Sequence, residues 1–253
     1  MELKNIFKME MFKNRHDTPY LVVIAILTGM AAVASILGVW MINTFSGRHS
    51  SELPMLLIVL EILLAVFTFI GLGIFSLLYP FHLLNVDYKN RVISLIFASG
   101  VPRGKFYFVK IGATILSCLI ATFVILFIPI VTFLIVKQDV FIEIVRKIFD
   151  TFNSSDIFSF VLSGTFSLVA NIVILTTSVI ITKGKTSGIF LYLAFLFAAS
   201  IIQTSVFLPL LQSKTVHIET VATANFYLDA AFSTIKIIVF VLIGLNVLKK
   251  QDL

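Results

Sequence analysis

Apolar residues run through this chain in long blocks with polar punctuation between them, rather than at the two-residue or three-to-four-residue steps of half-buried strands and amphipathic helices. Six blocks are near 20 residues or longer: Tyr20 to Phe45, Pro54 to Tyr79, Phe108 to Val136, Ile157 to Thr182, Ile189 to Leu211 and Phe226 to Leu248. About 20 helical residues at 1.5 Å each cross a hydrocarbon core of roughly 30 Å, and in lipid a single helix satisfies its own backbone. The pattern predicts an all-α integral membrane protein with six transmembrane helices. It predicts one transmembrane domain over residues 1–253, with no internal repeat. Pro80 is expected to end the second span and to deliver the chain to water by Leu84.

Two segments outside the blocks have patterns of their own. In the outer connection Lys137 to Asp156, Phe141, Val145, Ile148, Phe149 and Phe152 recur at helical steps opposite Asp139, Glu143, Arg146, Lys147 and Asp150. This describes an interfacial amphipathic helix, read first as a lid over spans three and four and second as a release surface into the outer leaflet. Between spans two and three lies "DYKNRVISLIFASGVPRGKFYFVK", Asp87 to Lys110. Val92, Ile93, Leu95, Ile96 and Phe97 form a short apolar helix that needs cover. Asp87 and Arg91 stand four apart to support it, and Gly100-Val101-Pro102 stops it. Helical pattern alone leaves two placements open: lying among lipid headgroups, or docking onto a protein.

Composition agrees with the blocks: 253 residues, 59% hydrophobic and only 13% charged, where soluble domains carry about 25% charge. The blocks leave little room for a folded soluble domain, and chemistry that needs one is expected to come from a partner. The net charge of +6 is not a nucleic-acid footprint, because its Lys and Arg residues separate apolar blocks instead of sharing one face. With the N-terminus inside, thirteen basic residues fall on the inner side (Lys4 through Lys250) and five on the outer, which places both termini in the cytoplasm. Residues 1–34 resemble a signal peptide, with basic Lys4, Lys8, Lys13 and Arg15 before an apolar stretch, but that stretch continues to Phe45 and is expected to remain as the first span.

Little of the chemistry-bearing inventory suggests catalysis. Cys118 is alone, so no internal disulfide or cysteine metal cluster forms, and His16, His49, His82 and His217 are too scattered for zinc spacing. Gly184-Lys185-Thr186 imitates the end of a phosphate-binding loop. The glycine required five places earlier is Val179, so the segment is read as the turn between spans four and five. The chain is therefore expected not to be an enzyme. Two ionisable residues fall within spans, where a bare charge costs around 2.5–3.5 kcal/mol on insertion scales. Lys236 is read as snorkelling outward on its long stem, or as a partner for Glu61. Glu61, with its shorter stem, is the candidate for a translocation cavity. In the first span Ala31 and Ser35, and Ala34 and Gly38, repeat at four-residue steps and admit a close helix neighbour.

The segment between spans two and three resembles the cytoplasmic segment of ABC-2 type permeases, the membrane subunits of one class of ABC exporter. Asp87, Leu95, Ile96, Ser99, Pro102, Arg103 and Lys110 occupy the family's acidic, apolar-pair, small, Pro, Arg and Lys places. Asp87 stands where the family usually has Glu, and Arg91-Val92 where it has Gly-Thr. The basic amphipathic start "MELKNIFKMEMFKNR" and the six spans extend the likeness more loosely.

The resemblance implies an ABC-2 (type V exporter-like) fold with a cytoplasmic coupling helix between the second and third spans, in a bacterial plasma membrane. It implies coupling through Asp87, Arg91, Leu95, Ile96, Pro102, Arg103 and Lys105 to two separate ATPase subunits. ATP and Mg would be bound there and no cofactor by this chain. It further implies a second permease copy or paralogue, surrounding lipid, and an amphipathic peptide as cargo, which an interior rich in Phe (26 residues) suits. Lipid or small-drug export, a lipid-modifying membrane enzyme, and a non-transporting sensor or assembly subunit are the rival readings.

Overall fold

A computed structural model describes the backbone of residues 3–47, 55–136, 154–212 and 218–251, together with 138, 139, 142 and 146. Among these residues the structure is helical and contains no strand. In chain order the helices are α1 (Leu3–Arg15), α2 (Thr18–Gly47), α3 (Met55–Lys89), α4 (Val92–Ala98), α5 (Arg103–Val136), α6 (Ser154–Ile181), α7 (Ser187–Gln212) and α8 (Ile218–Lys250). Six of them, α2, α3, α5, α6, α7 and α8, are long and apolar enough to cross a membrane, as the block pattern predicts. The protein is a multi-pass membrane protein. Most of the predicted amphipathic stretch 137–156 lies outside the described residues.

The side chains follow the logic of a lipid solvent. Large apolar groups point outward, with Phe69 80% and Phe190 74% exposed. Hydroxyls within the spans return to carbonyls of their own helix: Thr68 to Leu64, Thr122 to Cys118, Thr132 to Ile128 and Thr176 to Ile172, at 2.7 to 3.0 Å. Without water, a hydroxyl's cheapest acceptor is the carbonyl one turn earlier.

Two expected boundaries shift. Pro80 does not end the second span, because α3 continues through it to Lys89. Proline removes one backbone donor, but Phe81, Leu83 and Leu84 beyond it are all buried, and their packing holds the helical turn together. α5 likewise passes Pro129 and begins at Arg103, one turn before the expected Phe108.

The chain forms two compact units. The first comprises residues 1–10, 79–115 and 151–253, with α6 and α8 packed along one another. There Thr177 Oγ1 donates to the Phe240 carbonyl at 3.0 Å and lies 3.4 Å from Tyr107 Oη. The second comprises residues 11–78 and 116–150. On α2, within this second unit, the small residues Ala31, Ser35 and Gly38 are buried. Leu27 on the same helix packs so tightly on Gly71 of α3 that a Cβ at Gly71 would come within 2.5 Å of Leu27 Cδ2. Tyr20 and Phe75 add a ring contact at 5.7 Å, and Tyr20 Oη donates to the Ser117 carbonyl of α5 at 3.0 Å.

A candidate coupling elbow braced by a buried ion triad

The end of α3, the short α4 and the start of α5 all belong to the first unit. The α3 helix closes with Asn90 N–H on the Val86 carbonyl and Arg91 N–H on that of Tyr88. Arg91 then takes a left-handed conformation, φ 54°, and α4 starts. Asp87 and Arg91 therefore do not share a continuous helix, and the predicted four-residue support between them is replaced by a sharp break. At the far end Gly100, φ 83°, and Pro102 reverse the chain into α5, as the Gly-Val-Pro spacing predicts.

Most of α4's apolar cluster is covered from within the unit. Ile93 is buried with Ile6 of α1 and with Val101, Phe106 and Val109, and Phe7, Tyr88, Ile96 and Phe97 pack around them. Phe97 meets Phe106 edge to face at 5.4 Å. Leu95 alone of the cluster is exposed, at 68%, and Arg91, Pro102 and Lys105 are exposed as well.

Beneath this surface is an ion triad. Lys110 Nζ lies 2.6 Å from Glu10 Oε2 and 2.5 Å from Asp87 Oδ2, and all three side chains are at most 2% exposed. Each member comes from a different helix: Glu10 from α1, Asp87 from the last turn of α3, and Lys110 from two turns into α5. A buried ammonium is tolerated only when its charge and donors are matched, and two carboxylates supply that here. Glu10 faces inward because it falls one turn from Ile6 on the buried stripe of α1, while Lys4 and Lys8 remain exposed.

A second fastening involves Arg103. Its Nη1 donates to the carbonyls of Leu248 (3.1 Å), Lys249 (2.6 Å) and Gln251 (2.9 Å), and its guanidinium stands 5.4 Å over the Phe97 ring. These are the carbonyls that the end of α8 leaves without helical donors, and a cation there also suits the helix dipole. Gln251 carries the link onward, donating from Nε2 to the Ile180 carbonyl at 2.5 Å and accepting from Tyr88 Oη at 3.1 Å. The ends of α3, α6 and α8 and the start of α5 are thus tied to one another.

Of the residues proposed from sequence for the elbow, Leu95, Arg91, Pro102 and Lys105 form its outer surface, Ile96 is half-buried, and Asp87 and Arg103 are turned inward as braces. Glu61 lies in the second unit, half-buried on α3. Lys236 does not snorkel free: its Nζ donates to Gln203 Oε1 at 2.8 Å. Gly184-Lys185-Thr186 forms a tight turn after α6, with Gly184 N–H on the Val179 carbonyl at 2.9 Å. Sequence reasoning missed Glu10, Gln251 and the pairing role of Lys110. The only local signal for Glu10 was an acid one turn after Ile6 in an otherwise basic helix. Comparison of the chain with protein-family models, curated proteins and solved structures gives no match.

Proposed function

We propose that this chain is the permease subunit of an ABC-2 type exporter, and that α4 is its cytoplasmic coupling helix. The observation that supports the reading most is the division of labour in the elbow: one large apolar side chain of α4, Leu95, is exposed, as are the cations Arg91 and Lys105, while the base of the elbow is fastened by the Lys110 triad and by Arg103. A projection that is rigid at its root passes displacement to the spans, whereas a floppy loop absorbs it. On this reading two ATPase subunits bind ATP and Mg and grip the projection in apolar grooves with acidic walls, which the flanking cations complement. Their closure moves the spans of two permease copies and releases an amphipathic peptide outward. Both termini lie in the cytoplasm of a bacterial cell, and this chain itself catalyses nothing.

The test is co-expression with a candidate ATPase encoded beside it, followed by affinity purification through this chain. Leu95→Glu is expected to lower ATPase recovery and peptide-stimulated hydrolysis about tenfold or more, because an apolar hot spot becomes a charge at the contact. Its exposed position predicts a normal yield of folded permease. Equal recovery with Leu95→Glu, or no ATPase recovered with the parent chain, overturns the assignment.

Glu61 is assigned to the wet path of the cargo. Glu61→Gln is expected to reduce peptide export in whole cells at unchanged expression, and unchanged export removes it from that path.

A further inference from the structure

We infer that Gly164, Ser167 and Asn171 of α6 form the wall of a water-filled recess that reaches the middle of the membrane and receives the uncharged hydrogen-bonding groups of a solute. Spacings of three and four place these residues on one face of the helix. Counted back from Ile181, Asn171 lies about 15 Å into the span, Ser167 about 21 Å and Gly164 about 26 Å. A core of roughly 30 Å therefore has Asn171 near its centre and the rest of the strip in the half remote from the Lys183 turn.

All three residues are exposed. Neither Ser167 nor Asn171 has a hydrogen-bond partner among the described residues, whereas Thr165 and Thr176 of the same helix bond to carbonyls one turn back. A Cβ added at Gly164 would meet nothing within 4 Å, so the space beside the strip is open. A side-chain amide carries two donors and an acceptor, and hydrocarbon satisfies none of them. Polar groups at this depth accordingly face water or other polar groups. The same face changes character just past Asn171: its continuation toward the Lys183 turn, Ile174, Leu175 and Ser178, is at most 1% exposed. A lipid-facing surface has no reason to be polar in one half of the membrane and covered in the other. A surface for a second copy has no reason to end where the chain begins to cover itself. A recess open to one side of the membrane and closed at its centre accounts for the exposure, the polarity and the blind end together. It is independent of whether α4 engages an ATPase.

The test introduces single cysteines into the full chain, in isolated membranes opened so that reagent reaches both faces. The probe is 2-hydroxyethyl methanethiosulfonate, which is small, uncharged and hydrogen-bonding and reacts with thiolate, a form that requires water around the sulfur. Ser167→Cys and Asn171→Cys are expected to react about tenfold or more faster than Phe197→Cys. Phe197 is the control for a lipid face: it is exposed on α7 with the exposed Leu193 and Ile201, about 15 Å past Ser187. Leu175→Cys, on the covered part of the α6 face, and the parent, whose only cysteine, Cys118, is buried, should stay at the background rate. The inference is overturned if either Ser167→Cys or Asn171→Cys reacts no faster than Phe197→Cys, as in lipid. It is equally overturned if Leu175→Cys reacts as fast as Asn171→Cys, or if mild oxidation links Asn171→Cys chains into a disulfide dimer, as in a contact between copies.

Discussion

Lys110→Met is expected to lower the stability of this protein by about 3–5 kcal/mol, the usual cost of removing one partner from a buried ion cluster. Methionine keeps the length of the side chain, so the loss is not mainly one of packing. Glu10 and Asp87 would then face each other across a site in which both are at most 1% exposed, without the ammonium that now lies against both. Charge repulsion at low dielectric separates their two helices, and α1 loses the ionic tie that Glu10 makes to α5. Thermal unfolding in detergent, followed by the surviving monodisperse fraction, measures the loss. Lys105→Met, an exposed lysine one turn and a half earlier on α5, is the control and should stay within about 0.5 kcal/mol of the parent.

A triple change sharpens the result. Adding Glu10→Gln and Asp87→Asn to Lys110→Met removes all three charges and leaves two amides able to bond each other, so more than half of the lost stability should return. Replacing a whole buried ion cluster is often near neutral, whereas breaking it is not. If Lys110→Met alone costs less than about 1 kcal/mol, the triad is not what holds the elbow, and the rigid root on which the coupling proposal rests is lost.

The spans were legible in the sequence because lipid imposes a rule that needs no tertiary information: 20 apolar residues, self-satisfied as a helix. The location of the elbow was legible too, since Gly100 and Pro102 punctuate any fold in the same way. What escaped was direction. Glu10 and Lys110 are 100 residues apart, and no periodicity reports which distant helix an inward charge will meet. Arg103 reads as a surface cation until the end of α8 is seen to offer it three carbonyls. Pro80 reads as a stop because the local rule ignores the buried Phe81, Leu83 and Leu84 that carry the helix past it. Lys236 reads as a lone charge seeking water, because the helix that brings Gln203 to it is a separate block of sequence.

Gly184→Ala should be nearly as damaging as a larger substitution at the same place, at about 2–5 kcal/mol, because the first added carbon is the offending one. Gly184 has φ 75°, and a Cβ there would lie 2.7 Å from Tyr88 Cβ, an atom fixed to the backbone and unable to swing aside. Two costs add: about 1–2 kcal/mol for an L-residue in the left-handed region, and about 1–3 kcal/mol for overpacking. Tyr88 cannot retreat freely, since its hydroxyl is bonded to Gln251, which also caps the Ile180 carbonyl. Gly100 separates the two costs, because it has φ 83° but open space where its Cβ would be. Gly100→Ala should therefore lose only the conformational part, about 1–2 kcal/mol. If the two alanine variants unfold at the same temperature, Tyr88 does not press on the turn after α6, and the tie from that turn through Tyr88 to the elbow is absent.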